Sequence, residues 1–263
     1  MNQFFVDFSE VGVDTIILTG DDAKHISNVL RLRIGEEIRC VCTHDQMTYT
    51  CEIQSMDKNA VVCKITDVQR DSTELPVKIT LYQGLPKGDK FEYIIQKAVE
   101  MGVYEIVPVQ MKRSVVKIDS KKEESKLKRW NAIAKSAAEQ SKRKIIPEVK
   151  PVVQFGAAVE EADSCMDAVV VPYELAEGMD GTREILNSIV DQIRTGETAG
   201  NAEGVSGEGR IGIFIGPEGG FADSEIEAVQ KTKAQIITLG RRILRTETAP
   251  IAILAWLTYL FEN

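Results

Sequence analysis

Two short stretches carry the residue types that chemistry needs. Gly216-Pro217-Glu218-Gly219-Gly220 follows the apolar run Ile211–Ile215 and precedes a helical pattern. Three glycines let a backbone approach a ligand closely and adopt positive φ, although the same composition also makes a plain strand-to-helix turn. No Gly-Lys-Ser/Thr follows, so this is not a Walker A loop, and it is not GxGxxG after a first strand. The second stretch is Leu239-Gly240-Arg241-Arg242-Ile243-Leu244-Arg245-Thr246-Glu247-Thr248-Ala249-Pro250. It sets three arginines and two threonines between an apolar strand and an apolar helix. Thr248 with Pro250 reads as a helix start, with the arginines solvated. Pro172–Leu175 is a third strand end of this kind, and open α/β sheets bind ligands at strand carboxyl ends.

Other chemistry is weaker. Residues 111–150 hold thirteen Lys and Arg against five Asp and Glu, inside a chain of net charge −8. A polyanion responds to that local field rather than to the whole-chain sum, so the asymmetry permits a nucleic-acid partner without requiring one. Cys40-Val41-Cys42, Cys51 and Cys63 lack any CxxC pair. Cys40 and Cys42 share one face of a strand, and buried free thiols explain them better than zinc does. No metal is expected. His25, near a helix start, and His44 are the only histidines; capping or RNA contact suits His25 better than catalysis.

The elements that must position these residues change period near residue 72. Before it, short apolar runs at Thr15–Leu18, Glu37–Cys42, Met47–Ile53 and Ala60–Ile65 alternate with turn formers and one helical stretch, His25–Leu30. That pattern predicts a small β-barrel or sandwich. Asp71–Glu74 before Pro76 reads as a linker. Beyond it, strands at Val77–Gln83, Glu105–Val109, Ala168–Pro172, Ile211–Ile215 and Gln235–Leu239 alternate with helices at Gly88–Met101, Glu123–Lys142, Thr182–Ile193 and Pro250–Phe261. Such alternation predicts an α/β domain with a parallel sheet covered on both faces. Ser224 with Glu227 reads as a capping box opening a further helix. Residues 195–209, small, polar and glycine-rich, read as a flexible surface loop.

Length and composition agree with two domains, 1–72 and 73–263. A chain of 263 residues, 43% hydrophobic and 27% charged, can bury a core without disulfides or metals. No apolar run reaches the ~18 residues of a membrane span. The start MNQFFVDFSE lacks a basic n-region and an apolar h-region, so no membrane association and a cytoplasmic location are expected.

IGIFIGPEGGFADSEIEAV followed by ITLGRRILRTETAPIAILAWLTYL resembles the SPOUT-class RNA methyltransferases, and more narrowly the RsmE type, which methylates uracil N3 in small-subunit (16S) ribosomal RNA. The likeness extends through Gln83–Lys90, Gln96–Val103, Arg129-Trp130, Glu139–Ser141 and His25–Arg33, covering nearly the whole chain. The resemblance implies an N-terminal PUA-like β-barrel, a C-terminal α/β domain with a deep trefoil knot, S-adenosylmethionine as cofactor, and a homodimer that buries part of the Pro250–Phe261 helix. It assigns the cofactor to Leu175, Gly216, Glu218, Gly219, Gly220, Leu239, Gly240, Ile243, Leu244 and Arg245. Ribosomal RNA of the small subunit would meet Arg31 and Arg33, with Lys112, Arg113, Arg129, Lys142, Arg143 and Lys144.

Uracil N3 bears a weakly acidic proton that must leave before its lone pair can attack a methyl group. Arg245 is expected to favour the anion by its fixed charge, and Glu218 or Glu247 to accept the proton. Arg245 and Glu247 could instead form an ion pair that only holds the loop closed. Rival functions are a SPOUT methyltransferase for another RNA and a non-catalytic RNA-binding module, which would need no glycine-lined pocket.

Overall fold

Alternation of inward and outward side chains builds the first unit of the chain. The computed structural model describes residues 1–57, 59–118, 120–176, 178–196 and 209–262, without the side chains of 120–122. The glycine-rich stretch expected to be a flexible loop falls, over 197–208, outside the described residues. Two compact units are formed, one from Met1–Glu74 with Ala138–Ile146, the other from Leu75–Ala137 with Pro147–Asn263.

In the first unit β1 (Asn2–Val6), β2 (Thr15–Thr19), β3 (Glu37–Cys42), β4 (Thr48–Met56) and β5 (Ala60–Gln69) form one sheet in the order β1-β3-β4-β5-β2. β1 runs parallel to β3 and the remaining neighbours are antiparallel. Register shifts in β4 between Thr50/Cys51 and Ile53/Ser55 mark bulges, which increase the local bend and twist of a sheet. Ile38, Cys40 and Cys42 of β3 join Cys51, Ile53, Val61 and Cys63 in one apolar core. Burial pushes the Cys63 thiol up to about 12. A thiol held that neutral is a packing residue, neither nucleophile nor metal ligand. Among the described residues no group of three or more His, Cys, Asp or Glu could hold a metal ion.

α1 (Gly20–Lys24) runs into a π-helical turn, His25–Leu30, that ends on Arg31 in the left-handed region at φ 54°. His25 places its ring edge-on to Phe4, with centroids 6.2 Å apart, so it contributes to packing.

The stretch expected to be a linker is instead pinned by charge. Asp71 accepts from Arg39 Nη2 at 3.0 Å, Thr48 Oγ1 at 3.0 Å and Lys144 Nζ at 2.5 Å. Arg143 pairs with Glu74, whose carboxylate also accepts from the Lys144 backbone N–H at 2.7 Å. The Lys144 side chain has no exposed surface at all. Expected as RNA contacts, Arg143 and Lys144 are internal counter-ions, and that assignment is corrected. Buried charges that each face a carboxylate are not free to reach a phosphate.

The second unit holds β6 (Val77–Gly84), β7 (Glu105–Gln110), β8 (Glu148–Val149), β9 (Val153–Gln154), β10 (Ala168–Pro172), β11 (Gly209–Ile215) and β12 (Gln235–Ile237). Their order is β12-β10-β11-β6-β7-β8, with β9 also on β7, and every pair is parallel. The helices are α2 (Lys90–Glu100), α3 (Ser120–Gln140), α4 (Phe155–Cys165), α5 (Met179–Thr195), α6 (Asp223–Val229) and α7 (Ala249–Glu262). Strands β6 and β11 are almost wholly buried, as a sheet covered on both faces requires. Tyr82 and Phe214 are register partners whose rings stack at 4.5 Å, and Phe155 of α4 with Ile226 and Val229 of α6 pack into the same core. Helix α4 and strands β1, β8 and β9 lie beyond the elements expected from the sequence.

At the start of α6 the expected Ser224–Glu227 capping box does not form. Ala222 is the cap residue, and Glu225 accepts from its backbone N–H at 2.8 Å and from the Lys112 N–H at 2.8 Å.

Asp71 is held well below the usual carboxylate range, first by the hydrogen bond from Lys144, then by those from Thr48 and Arg39, against an opposing effect of burial. Because the folded value is the lower one, the stabilisation is complete above an unfolded pKa of about 3.9 and drains away as pH falls below it. Asp71→Asn should lower stability at pH 7 by roughly 1–3 kcal/mol, the 40% exposure of Asp71 screening part of the cost of stranding Lys144. Thermal unfolding followed by circular dichroism should show this loss at neutral pH and a flatter acid limb than the parent. Equal melting at pH 7 would show that Lys144 does not depend on Asp71.

Candidate functional site

The carboxyl ends of β10, β11 and β12 open on one cavity of about 320 Å³. Its walls come from Pro172–Glu174, from Ile215–Glu218 with Gly220 and Phe221, and from Thr238–Thr246, with Lys90 from the first turn of α2. Both glycine-bearing stretches singled out in the sequence therefore face the same space.

A polar chain holds the two loops together. The Thr246 hydroxyl donates to the Gly216 carbonyl at 2.7 Å and accepts from Gln83 Nε2 at 3.1 Å. Gln83 also donates to the Gly84 carbonyl at 2.9 Å and is fully buried at the end of β6. Gln83 Oε1, equally buried, has no hydrogen-bond partner among the described residues. On the far side, the Gly240 N–H donates to Thr238 Oγ1 at 3.2 Å, and the Thr238 N–H donates to Thr182 Oγ1 at 3.0 Å, tying the loop to α5. Gly240 sits at φ +107°, a conformation that L side chains rarely adopt.

The charges at the mouth are arranged around Lys90. Its ammonium lies 3.0 Å from Glu218 Oε1 and 3.5 Å from Glu247 Oε2. Glu218 accepts in addition from the Lys87 backbone N–H at 3.1 Å. Partial burial pushes the Glu218 carboxyl up, yet the hydrogen bonds from Lys90 and from backbone N–H groups outweigh it and hold the group below its ordinary value. Lys90 is shifted upward, chiefly by its hydrogen bond to Glu218. A carboxylate held ionised in this way is a poor proton acceptor.

Of the ten positions expected to hold the cofactor, Gly216, Glu218, Gly220, Leu239, Gly240, Ile243, Leu244 and Arg245 line the cavity. Leu175 is 72% exposed and lies outside the lining. Gly219 is outside it too. A Cβ there would come within 2.9 Å of Arg113 Cβ, so this glycine permits the close approach of Arg113, which donates to the Gly219 carbonyl at 3.1 Å. Glu247 sits behind the lining, beside Lys90. Arg245 lines the cavity with an 80% exposed side chain, and its 4.0 Å separation from Glu247 is at the limit of an ion pair. That geometry does not clasp the loop shut.

The expected RNA contacts separate into groups. Arg31 and Arg33 are exposed on the loop after the π-helical turn. Lys112 and Arg113 follow β7, where Lys112 Nζ donates to Ser224 Oγ at 2.6 Å. Arg129 is exposed on α3 and pairs with Glu92 at 2.7 Å. Lys142 donates to the Met1 carbonyl at 2.7 Å. Sequence reasoning missed Gln83, whose polar end is hidden in an apolar strand, and Lys90, which reads as an ordinary helix-start charge.

Comparison with known proteins bears on this cavity. The sequence model of the RNA methyltransferase domain matches residues 73–258, and that of the RNA methyltransferase PUA domain matches residues 18–66. The chain is 37% identical to the ribosomal RNA small subunit methyltransferase E of Bacillus subtilis, over 100% of this chain and 98% of that protein. A protein of the same name from Mesomycoplasma hyopneumoniae is 32% identical over 97% of each. Among solved structures, the ribosomal RNA small subunit methyltransferase E of Neisseria gonorrhoeae bound to S-adenosyl methionine superposes with a TM-score of 0.79 at 29% identity, covering 99% of this chain and 98% of that one.

The polar chain itself can be cut. Thr246→Val keeps the volume but leaves the Gly216 carbonyl without its donor, which should cost about 1–2 kcal/mol in denaturant unfolding. The arginine-bearing loop should then be cleaved by trypsin faster than in the parent. Unchanged unfolding and unchanged cleavage would mean that the two loops hold their places without Thr246.

Proposed function

This chain belongs to the RNA methyltransferase family, and we propose on that footing that it transfers the methyl group of S-adenosylmethionine to N3 of a uridine in small-subunit ribosomal RNA. The observation that carries the proposal is the cavity at the carboxyl ends of β10, β11 and β12, walled by Ile215–Glu218 with Gly220 and by Leu239–Thr246. A non-catalytic RNA binder has no use for such a space.

The residues present suit the cofactor. Gly240 and its neighbours offer backbone groups at close approach, and Leu239, Ile243 and Leu244 offer apolar faces for an adenine ring. When bound, S-adenosylmethionine supplies an electrophilic methyl group on its sulfonium, so no metal is called for. Arg245, exposed in the cavity lining, would supply the positive charge that favours the anion of the target base. Glu218 is not suited to take the N3 proton, because its hydrogen bonds keep it ionised. Glu247 lies outside the lining, with its Oε2 3.5 Å from the Lys90 ammonium. The proton then leaves to solvent, and Arg245 makes that loss easier. Arg31 and Arg33, with Lys112, Arg113, Arg129 and Lys142, would contact RNA phosphates.

The same proposal includes a trefoil threading of the cavity loops, a cytoplasmic location, and a homodimer. The dimer is supported by an apolar groove between α5 and α7, lined by Met179, Leu186, Trp256, Tyr259 and Leu260. Among the described residues no helix is long and apolar enough to cross a membrane.

Mass spectrometry of small-subunit ribosomal RNA from a strain lacking the gene should show one N3-methyluridine lost; an unchanged digest would refute the assignment. Calorimetric titration should show S-adenosylhomocysteine binding to the parent but at least about tenfold more weakly to Gly240→Val, since a β-branched residue at that φ costs on the order of 1–3 kcal/mol. Equal binding would place the cofactor elsewhere.

Arg245→Ala should lower kcat on the order of a hundredfold while leaving affinity for S-adenosylhomocysteine nearly unchanged. Raising the pH should restore part of the lost rate by supplying the anion directly. Loss of cofactor affinity with no gain at high pH would make Arg245 a structural residue.

A further inference from the structure

With Arg143 and Lys144 consumed inside the first unit, the phosphates next to the reacting nucleotide need other partners. The cavity wall carries cations at Lys90, Arg241, Arg242 and Arg245. Two of these are already engaged, Lys90 by Glu218 at 3.0 Å and Glu247 at 3.5 Å, and Arg245 by Glu247 at the 4.0 Å limit. Arg241 and Arg242 differ. Both are exposed, and among the described residues neither has a carboxylate within ion-pair distance or any hydrogen-bond acceptor. Adjacent like charges held at the rim of a cavity repel each other and add nothing to stability. A free guanidinium is planar, permanently charged and shaped to meet two phosphate oxygens at once.

We infer that Arg241 and Arg242 form a phosphodiester clamp, gripping the RNA phosphates that flank the target nucleotide so that its base enters the cavity. The inference rests on the RNA methyltransferase reading. It also explains why a loop that supplies apolar contacts at Leu239, Ile243 and Leu244 carries two arginines between them. The other anion that these guanidinium groups could meet is the α-carboxylate of the cofactor's amino-acid end, and the experiment separates the two sources.

Arg241→Gln, Arg242→Gln and the double variant are compared with Arg241→Lys and Arg242→Lys, using transcribed small-subunit ribosomal RNA as the binding probe. Each lost contact should lower the slope of log K against log salt by roughly 0.7, as for a single strand, and the double variant should bind RNA at least about tenfold more weakly. The lysine variants should keep most of the slope, because charge is retained while the bidentate geometry is lost. Calorimetric affinity for S-adenosylhomocysteine should not change in any of them. In turnover the loss should appear in KM for RNA more than in kcat. An unchanged slope overturns the clamp. So does a loss of S-adenosylhomocysteine affinity at constant slope, which would assign the pair to the cofactor carboxylate. The slope is read without turnover, so a parent enzyme that methylates no ribosomal RNA would sink the functional proposal alone and leave this comparison valid.

Discussion

The hydroxyl of Thr246 is the point on which the site depends. One oxygen donates to a carbonyl of the loop after β11 and accepts from a glutamine at the end of β6. Three segments remote in sequence are thus fixed through one buried atom. Loops that must hold a ligand and yet lie at the rim of a sheet carry many backbone groups that secondary structure does not satisfy. A short buried chain of donors and acceptors is a compact way to satisfy them, and it sets the width of the cavity.

Charge is divided by the same logic of burial. In the first unit Arg143 and Lys144 lie inside, each facing a carboxylate, and their worth is in holding Asp71 and Glu74 in place. In the second unit Lys90 sits between two carboxylates, while Arg241 and Arg242 are exposed with no carboxylate in ion-pair distance among the described residues. Paired cations shape the protein and unpaired ones are left for a ligand. The net charge of −8 conceals this division, because a sum over the chain takes no account of which charges solvent can reach.

The cavity loops could be read from sequence because glycines and arginines cluster directly after apolar strand stretches. The parallel sheet was legible because short strand-like stretches such as Val77–Gln83 and Ile211–Ile215 alternate with stretches of helical period. What escaped was whatever depends on a distant partner. Nothing local distinguishes Lys144, which is buried, from Lys142, which is not; the difference is made by Asp71 and Thr48, far away in the chain. Helix α4 carries Phe155, Ala158, Val159 and Ala162 at helical spacing, a local period. Strands β8 and β9 are two residues each, too short to show any period. The cap of α6 lies two residues before the expected Ser224, because Glu225 reaches back to Ala222 and sideways to Lys112 at once.

Strand β6 pairs with β7 on one edge and with β11 on the other, so that Val77 finds its partner only at Gly209. During synthesis an apolar strand therefore leaves the ribosome long before the neighbour that will cover it. Pairings of such separation close large loops before they yield any contact energy, which slows folding and leaves sticky edges open meanwhile. The nascent second unit waits half-built until β11 arrives, and it is in that interval, rather than in the finished enzyme, that chaperones would have most to do.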